Sequence, residues 1–600
     1  MFSLLYPQQN QQRNVLDLSG LWQFQEDPHN IGIEQGWFRV LPVPSSIAVP
    51  GSWNEQHERL RDYTDAAWYA TDVWVPQGWH GQRIFVRIGS ANYFARVWVN
   101  GVEVGAHEGG HLPFGFDITE HIQWDAPNHF AICVDNTLRQ DRLPPGGVGM
   151  GGSTSMLSGY PLTSYDFFPY AGLQRQVWLM GLPAVHIHDI TVNTEFTRQP
   201  DGIVGQIHVK VQANGAYQGS GNIAVEGAQV TLQFQDGKAE GTLVIANAKL
   251  WGPGHPHLYA LHVTLGNQDS YTLEVGIRTF AVKGDRLYLN DEPITLKGFG
   301  KHEDFAGSGR GLNFPVLVKD YDLLRWVGAN SYRTAHYPYS EEAMQMADRH
   351  GVLIIDETPA VGLAFHLDAA VVKRHYELCL QATEALIERD KNHACVIAWS
   401  IANEPVAGSF FAPPMPDSPA FKNGAQFLDN LIAQTKELDP SRAVTFAGMQ
   451  ISPNAWFANV DIICVNRYYG WYFGGGQLAS SQAAFAAEMS ALHKQYGKPI
   501  IVSEFGADTV AGMHAQPPEM WSEEYQVEVL KFHLDYADAH PYIAGLHIWN
   551  FADFKTAQGI IRMGGMNLKG VFTRDRRPKM AAHLLRSYWA KTAEHMIERG

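Results

Sequence analysis

Short runs in which every second residue is apolar dominate the first part of the chain. Arg83-Ile84-Phe85-Val86-Arg87-Ile88 and Arg96-Val97-Trp98-Val99-Asn100-Gly101 are of this kind, with Gly, Asn and Pro between the runs. A period of two puts alternate side chains on opposite faces of a pleated strand, so these runs predict half-buried strands joined by turns. Residues 1–183 therefore predict an all-β jelly roll. The alternation continues through His208-Val209-Lys210-Val211-Gln212 and Gln229-Val230-Thr231-Leu232-Gln233. Residues 184–280 have the length of one immunoglobulin-like β-sandwich. The linkers are short, which predicts domains packed on one another rather than strung out.

From residue 281 to residue 600 the period changes. Pro315 to Gly328 predicts a helix followed by a strand at Ala329 to Arg333, and Ser340 to Gly351 a helix followed by Val352-Leu353-Ile354-Ile355-Asp356-Glu357. Two further runs, Val396 to Ile401 and Ile500-Ile501-Val502, are apolar throughout and rich in β-branched residues. Strands apolar on both faces belong to parallel sheets covered by helices, and repeated βα units imply a parallel barrel or a doubly wound sheet. In a (β/α)₈ barrel the working groups sit at the carboxyl ends of the strands.

Charge narrows the partners. Lys and Arg total 45 against 61 Asp and Glu, a net charge of −16, which disfavours nucleic acid and anionic membranes. An anionic ligand would have to be caught by a local cationic pocket. The four cysteines, Cys133, Cys379, Cys395 and Cys464, have no metal-ligand spacing and read as small buried hydrophobes, not a disulfide framework. No stretch has the form of a signal peptide or the length of a bilayer span, and no Asn-x-Ser/Thr acceptor occurs. These features predict a soluble cytoplasmic protein.

Both apolar runs end on a glutamate. Val396 to Ile401 leads into Ala402-Asn403-Glu404-Pro405, and Ile500-Ile501-Val502 into Ser503-Glu504-Phe505-Gly506. A carboxyl at the mouth of a barrel is poorly solvated, which raises its pKa as a proton donor at neutral pH requires. The 100 residues between them leave room for about three βα units, setting the two on different sides of one mouth. Paired carboxylates across a sugar ring are the minimum for breaking a glycosidic bond. A single Glu at a strand end more often serves as a cap or salt-bridge partner, and only the pair argues for chemistry.

Three strings, Asn330-Ser331-Tyr332-Arg333-Thr334-Ala335-His336-Tyr337-Pro338, the stretch Asp390 to Glu404, and Ser503-Glu504-Phe505-Gly506, together closely resemble the pattern of glycoside hydrolase family 2. The resemblance covers essentially the whole chain and implies a jelly roll, an immunoglobulin-like sandwich and a catalytic (β/α)₈ TIM barrel. Asn466-Arg467-Tyr468-Tyr469-Gly470-Trp471-Tyr472, Trp549-Asn550-Phe551-Ala552-Asp553-Phe554 and Gly570-Val571-Phe572-Thr573-Arg574 are similar to members that cleave β-D-glucuronides. Asn567-Leu568-Lys569 resembles the Asn-x-Lys string of the family's uronic-acid enzymes. The physics agrees, since an ammonium and an amide supply donors for a sugar carboxylate that a neutral hexose would leave unpaired.

The resemblance implies further site residues, each with a plainer alternative. Arg562 is a second cation for the carboxylate or a surface arginine on a glycine-rich loop. Asp166 reaches sugar hydroxyls or caps a turn. His336 bonds a sugar hydroxyl or fills the core. Asn403 bonds the sugar 2-hydroxyl, and Asn466 belongs to the same substrate-binding set. Tyr468 orients the nucleophile, while Tyr472 and Trp549 line the sugar site or simply pack the barrel. His302-Glu303-Asp304 invites a metal reading but has no second ligand cluster, and is expected to be barrel structure.

The expected reaction is retaining, exo-acting hydrolysis of β-D-glucuronides through a covalent glycosyl-enzyme, with Glu504 as nucleophile and Glu404 as acid/base about 5–5.5 Å apart. No metal or organic cofactor is required. The expected substrates are small β-glucuronides or the ends of glycans, and the resemblance implies a homodimer or homotetramer. A β-galacturonidase or dual uronidase, a neutral-sugar β-galactosidase or β-mannosidase, and a silent carbohydrate-binding protein are the alternatives. After Thr358-Pro359-Ala360-Val361-Gly362-Leu363 the chain reaches a helix-like segment near Ala369 quickly, so the mouth is expected to be open to bulky or oligosaccharide aglycones.

Overall fold

A computed structural model of the chain describes residues 2–147, 158–408 and 415–597. In its first part a four-stranded sheet, ordered Asn14–Asp17, Val177–Leu182, Arg83–Ile88, Phe114–Asp117, packs on a six-stranded antiparallel sheet that contains Gly20–Asp27, Ala66–Val73, Asn128–Asp135 and Phe94–Val99. Val86, Ile88 and Leu179 from the first sheet meet Phe24, Tyr69, Val97 and Ile132 from the second in one core. Alternation produces this, because residues two apart share a face. Both quoted runs are strands, over Arg83–Ile88 and Phe94–Val99.

A second sandwich follows. Ile187–Gln199, Gly202–Ala213 and Lys238–Ile245 form one sheet, and Ala228–Phe234, Gly219–Val225, Tyr259–Leu265 and Asp269–Val275 the other. Ile207, Val209 and Val211, at a period of two along one strand, point into its core.

Eight parallel strands then close a barrel: β1 (Leu296–Gly300), β2 (Ser331–Arg333), β3 (Leu353–Glu357), β4 (Val396–Asn403), β5 (Ala443–Gly448), β6 (Ile463–Asn466), β7 (Ile500–Glu504) and β8 (Ile543–Ile548). Every residue of β4 and of β7 is buried, as expected of strands enclosed on both faces. Helices alternate with them, including α1 (Phe314–Val327), α2 (Glu341–His350) and α3 (Ala369–Asp390). The expected repeat has one exception, since β5 and β6 are joined by only a short 3₁₀ turn over Asn454–Ala458. Asn313 and Ser340 cap the starts of α1 and α2, and Gly328 and Gly351 close them at positive φ. The αL glycine that ends each helix also sets the turn into the next strand.

The sandwiches are anchored to the barrel by buried charge. Arg87 of the first pairs with Glu341 of α2 at 2.8 Å, and both are almost fully buried. Arg278, at the end of the second, donates to the carbonyls of Ala394 and Val396 at the base of β4. A loop of the first sandwich runs over the barrel mouth, where Phe167 packs against His302, His336 and Tyr337. This crossing is what brings Asp166, from a β-sandwich, to the end of a barrel. All four cysteines are buried and unpaired. No helix among the described residues is long and apolar enough to cross a membrane.

Candidate active site

Glu404 and Glu504 follow from strand register. Glu504 is the last residue of β7 and Glu404 the first residue past β4, three strands away around the barrel. Glu404 adopts φ +52°, a left-handed conformation that a non-glycine residue holds only when its surroundings fix it. Its amide donates to the Ala447 carbonyl at 2.7 Å, and Pro405 follows.

The two carboxyls have opposite surroundings. Glu504 accepts from Arg333 Nη2 at 2.5 Å and from the Tyr468 hydroxyl at 2.7 Å, so donors face both oxygens. Such charge-assisted bonds are short and strong, and they fix the direction of the Glu504 carboxyl. Glu404 accepts one neutral bond, from Asn466 Nδ2 at 2.9 Å. Burial first, and then the negative charge of Glu504, push the Glu404 carboxyl up to about 8. At neutral pH Glu404 holds its proton beside a carboxyl whose two oxygens are both met by donors, the division of labour that acid-assisted displacement needs.

Asn466 Nδ2 also donates to Asn403 Oδ1 at 3.0 Å, which leaves the Asn403 amide nitrogen to donate to a ligand. Asn466 is itself oriented by Ser503 Oγ at 2.8 Å. His336 presents Nδ1 to Glu357 at 2.8 Å, turns Nε2 toward Glu504 at 3.7 Å and stacks on Trp549 with ring centroids 5.0 Å apart.

A second cluster lies beyond Tyr468, whose ring meets Tyr472 edge-on at 5.1 Å. The Tyr472 hydroxyl accepts from Lys569 Nζ and from Arg562 Nη2, both at 2.8 Å. Arg562 forks onto Asp166 at 2.7 and 2.5 Å, and Asn567 Nδ2 donates to the same carboxylate at 2.9 Å. Lys569 Nζ is fully buried and pairs tightly with Asp508. Burial pushes the Asp508 carboxyl up, but Lys569 and Arg562 outweigh it and hold it below the usual carboxylate range. Arg562, at 7 % side-chain exposure, is not a surface arginine. Nor does Asp166 cap a turn, since its carboxylate serves Arg562 and Asn567.

All twelve residues singled out in the sequence thus line one continuous network at the carboxyl end of the barrel. Three further members, Arg333, Glu357 and Asp508, were missed. Arg333 stands three residues before His336, Glu357 ends β3 as Glu504 ends β7, and Asp508 lies four residues past Glu504. The strand-end position of Glu357 was the available signal. His302, Glu303 and Asp304 diverge: His302 meets the Tyr337 hydroxyl, Glu303 meets Arg175, and Asp304 meets Arg574 and Tyr170. Each of the three side chains is engaged by a different partner.

The connection from β3 to α3 spans only residues 358–368.

Known proteins match this arrangement along the whole chain. The family descriptions are "Glycosyl hydrolases family 2, sugar binding domain" over residues 15–183, "Glycosyl hydrolases family 2" over 185–278, and "Glycosyl hydrolases family 2, TIM barrel domain" over 280–594. A beta-glucuronidase of Paenibacillus borealis is 39 % identical, covering 99 % of each chain. The Homo sapiens beta-glucuronidase is 41 % identical over 98 % of this chain and 92 % of its own. The solved Ruminococcus gnavus beta-glucuronidase in complex with D-glucuronic acid superposes with a TM-score of 0.88 at 37 % identity, over 98 % of this chain and 100 % of that one.

Proposed function

The chain belongs to glycoside hydrolase family 2, and from that premise we propose how its residues divide the work of cleaving a glucuronide. The protein is a glycoside hydrolase that hydrolyses β-D-glucuronides. Glu504 attacks the anomeric carbon while Glu404 gives its proton to the leaving glycosidic oxygen, forming a covalent glycosyl-enzyme and an alcohol. Glu404, now a carboxylate, takes a proton from water as the water attacks the same carbon, releasing glucuronate and restoring both groups. The observation that carries this assignment is the unequal pair, a Glu504 with charged and neutral donors on its two oxygens beside a Glu404 pushed up to about 8.

Lys569, Asn567, Arg562 and Tyr472 take the sugar carboxylate, with Asp166 and His336 on ring hydroxyls, Asn403 on the 2-hydroxyl and Trp549 beneath the ring. The support is convergence, for two buried cations meet on the Tyr472 hydroxyl and the Asn567 amide shares Asp166 with one of them. Asn466 and Tyr468 hold the two glutamates. Proton NMR of the first-formed glucuronate tests the mechanism: retention gives the β anomer before mutarotation, and an initial α anomer would exclude a glycosyl-enzyme on Glu504.

The same reading takes 1–183, 184–280 and 281–600 as the jelly-roll, immunoglobulin-like and catalytic units. It takes the protein to be a cytoplasmic homodimer or homotetramer, the buried free cysteines being suited to a reducing compartment. Light scattering on the purified protein reads the assembly directly. The short connection over residues 358–368 supports a mouth open to bulky or oligosaccharide aglycones. Faster turnover of small aryl glucuronides than of any glycan-derived substrate would count against that preference.

A further inference from the structure

We propose that Glu357, which touches neither substrate nor reacting atoms, is the positioning residue that readies the nucleophile, acting through Arg333 and His336 together. The inference rests on Glu504 being the nucleophile.

Glu357 ends β3 and its side chain is fully buried. Its two oxygens accept four hydrogen bonds, from Arg333 Nη1 at 2.8 and 2.7 Å, His336 Nδ1 at 2.8 Å and Ser400 Oγ from β4 at 2.7 Å. Its backbone amide donates to Thr334 Oγ1 at 2.8 Å. Arg333 in turn places Nη1 on Glu357 and Nη2 on Glu504, so one guanidinium bridges two carboxylates on strands β3 and β7.

Two consequences follow. Because a carboxylate accepts only, the His336 Nδ1 facing Glu357 carries a proton, which fixes the ring's orientation. Nε2 is then the atom turned toward Glu504, beside the nucleophile. The second consequence is charge. A single Arg333 facing Glu504 alone would neutralise it and blunt its attack, whereas Glu357 shares that cation and leaves the nucleophile net negative charge. Buried carboxylates are costly unless fully bonded, and the four hydrogen bonds that three donors make to Glu357 are what allows a third one beside the reacting pair. An arginine and a histidine fixed by a common carboxylate move as one unit, which places the nucleophile with a strand-end precision that loops do not supply.

The pH dependence gives a readout that a scaffold role would not move. Glu404 faces Glu504 from β7, Asn466 from β6, Arg333 from β2 and Asp166 from the first sandwich. Glu357 itself faces Arg333, Thr334, His336, Ser400 and Cys464. Removing the Glu357 charge leaves Arg333 less neutralised, so Glu404 loses its proton at lower pH.

The experiment compares wild type with Glu357→Gln, which keeps the shape and removes the charge. It measures the rate of covalent labelling by 2-deoxy-2-fluoro-β-D-glucuronyl fluoride, the labelled residue by peptide mass spectrometry, and kcat/KM against pH on p-nitrophenyl β-D-glucuronide. We expect labelling of Glu504 to slow by about 100-fold or more, kcat to fall with KM changed less than fivefold, and the alkaline limb to move toward acid by about one unit. Labelling at the wild-type rate, or a slower rate with the limb in place, overturns the proposal. A label on a residue other than Glu504 in wild type overturns the nucleophile assignment instead, so the two failures are distinct. If E357Q does not fold, Glu357→Asp withdraws the carboxylate by one methylene and keeps its charge. Slowed labelling with the limb unmoved then supports the positioning role, and wild-type labelling refutes it.

Discussion

The two ends of the site are built from different materials. The reacting end stands on strand termini: Arg333 on β2, Glu357 on β3, Asn403 and Glu404 at β4, Asn466 on β6 and Glu504 on β7. The end proposed to bind the sugar carboxylate stands on connections: Arg562, Asn567 and Lys569 after β8, Asp508 after β7, Tyr472 after β6 and Asp166 from a different domain. Strand ends in a closed barrel are fixed by hydrogen bonds to both neighbours, whereas a loop residue is fixed only by what it touches. The loop end compensates by wiring its side chains to one another, Arg562 to Asp166, Asn567 to Asp166 and Lys569 to Asp508. Under the proposed roles chemistry rests on the scaffold and specificity on the loops, an arrangement that lets one barrel serve many sugars.

The largest test of that division is Glu504→Ala. Losing the nucleophile removes an interaction made only in the transition state, so kcat should fall by about 10⁴-fold or more while the fold persists. Circular dichroism and initial rates on p-nitrophenyl β-D-glucuronide check both halves. Wild-type turnover by this variant would place the reacting end elsewhere.

Lys569→Ala comes next and bears on the loop end alone. Removing one partner of a buried charged contact costs about 2–5 kcal/mol, so kcat/KM on the glucuronide should drop by roughly 10²- to 10³-fold. Rates on p-nitrophenyl β-D-glucoside, β-D-galactoside and β-D-galacturonide, measured in parallel without added metal, supply the contrast. The neutral sugars should change little and the galacturonide should fall with the glucuronide. Equal losses on all four would erase the distinction between the two ends.

How much of this was readable in the sequence follows the same line. Of the strand-end residues Glu404 and Glu504 were legible from physics, because a β-branched apolar run ending in Glu is recognisable in β4 and β7, whereas Asn403 and Asn466 came from resemblance and Arg333 and Glu357 were missed. Both sandwiches and the repeated βα units were legible from period, while the choice of a closed barrel over a doubly wound sheet came from resemblance. The missing helix between β5 and β6 was not, since a βα repeat gives no signal for a unit that omits its helix. The loop end carried no period at all, and Asp166, Arg562, Asn567 and Lys569 came only from resemblance. Their convergence spans about 400 positions of chain, and no local pattern encodes a contact between Asp166 and Arg562. Asp508 escaped both routes, being a loop residue whose partner lies 61 positions on.

A smaller effect is expected from Arg562→Lys. The bidentate fork on Asp166 depends on planar guanidinium geometry that an ammonium cannot reproduce, so charge is kept while direction is lost. One charged hydrogen bond is worth about 1.5–3 kcal/mol, and part of it survives, so KM for the glucuronide should rise by about tenfold with kcat changed less. If kcat falls instead, Arg562 reaches the reacting end and the boundary drawn above is misplaced.

The smallest expected effect is the most discriminating. The alkaline limb of kcat/KM should lie near pH 8, set by Glu404, whose shift comes from burial and from Glu504. Lys569→Ala, followed on the neutral glucoside, should leave that limb in place. Asp166→Asn should move it toward acid by only a few tenths of a unit, because the Asp166 charge is the weakest of the influences on Glu404. The same shift has a sign for stability. The native carboxyl holds its proton to about 8 and the unfolded one releases it near 4.5, so the native state loses stability as pH rises through that interval. Glu404→Gln cannot ionise and escapes the loss, so its Tm relative to wild type should climb from pH 5 to pH 9. A difference that stays flat across that range, with a limb that follows the loop variants, would show the proton to be governed by the carboxylate-binding end and make the two regions one electrostatic unit.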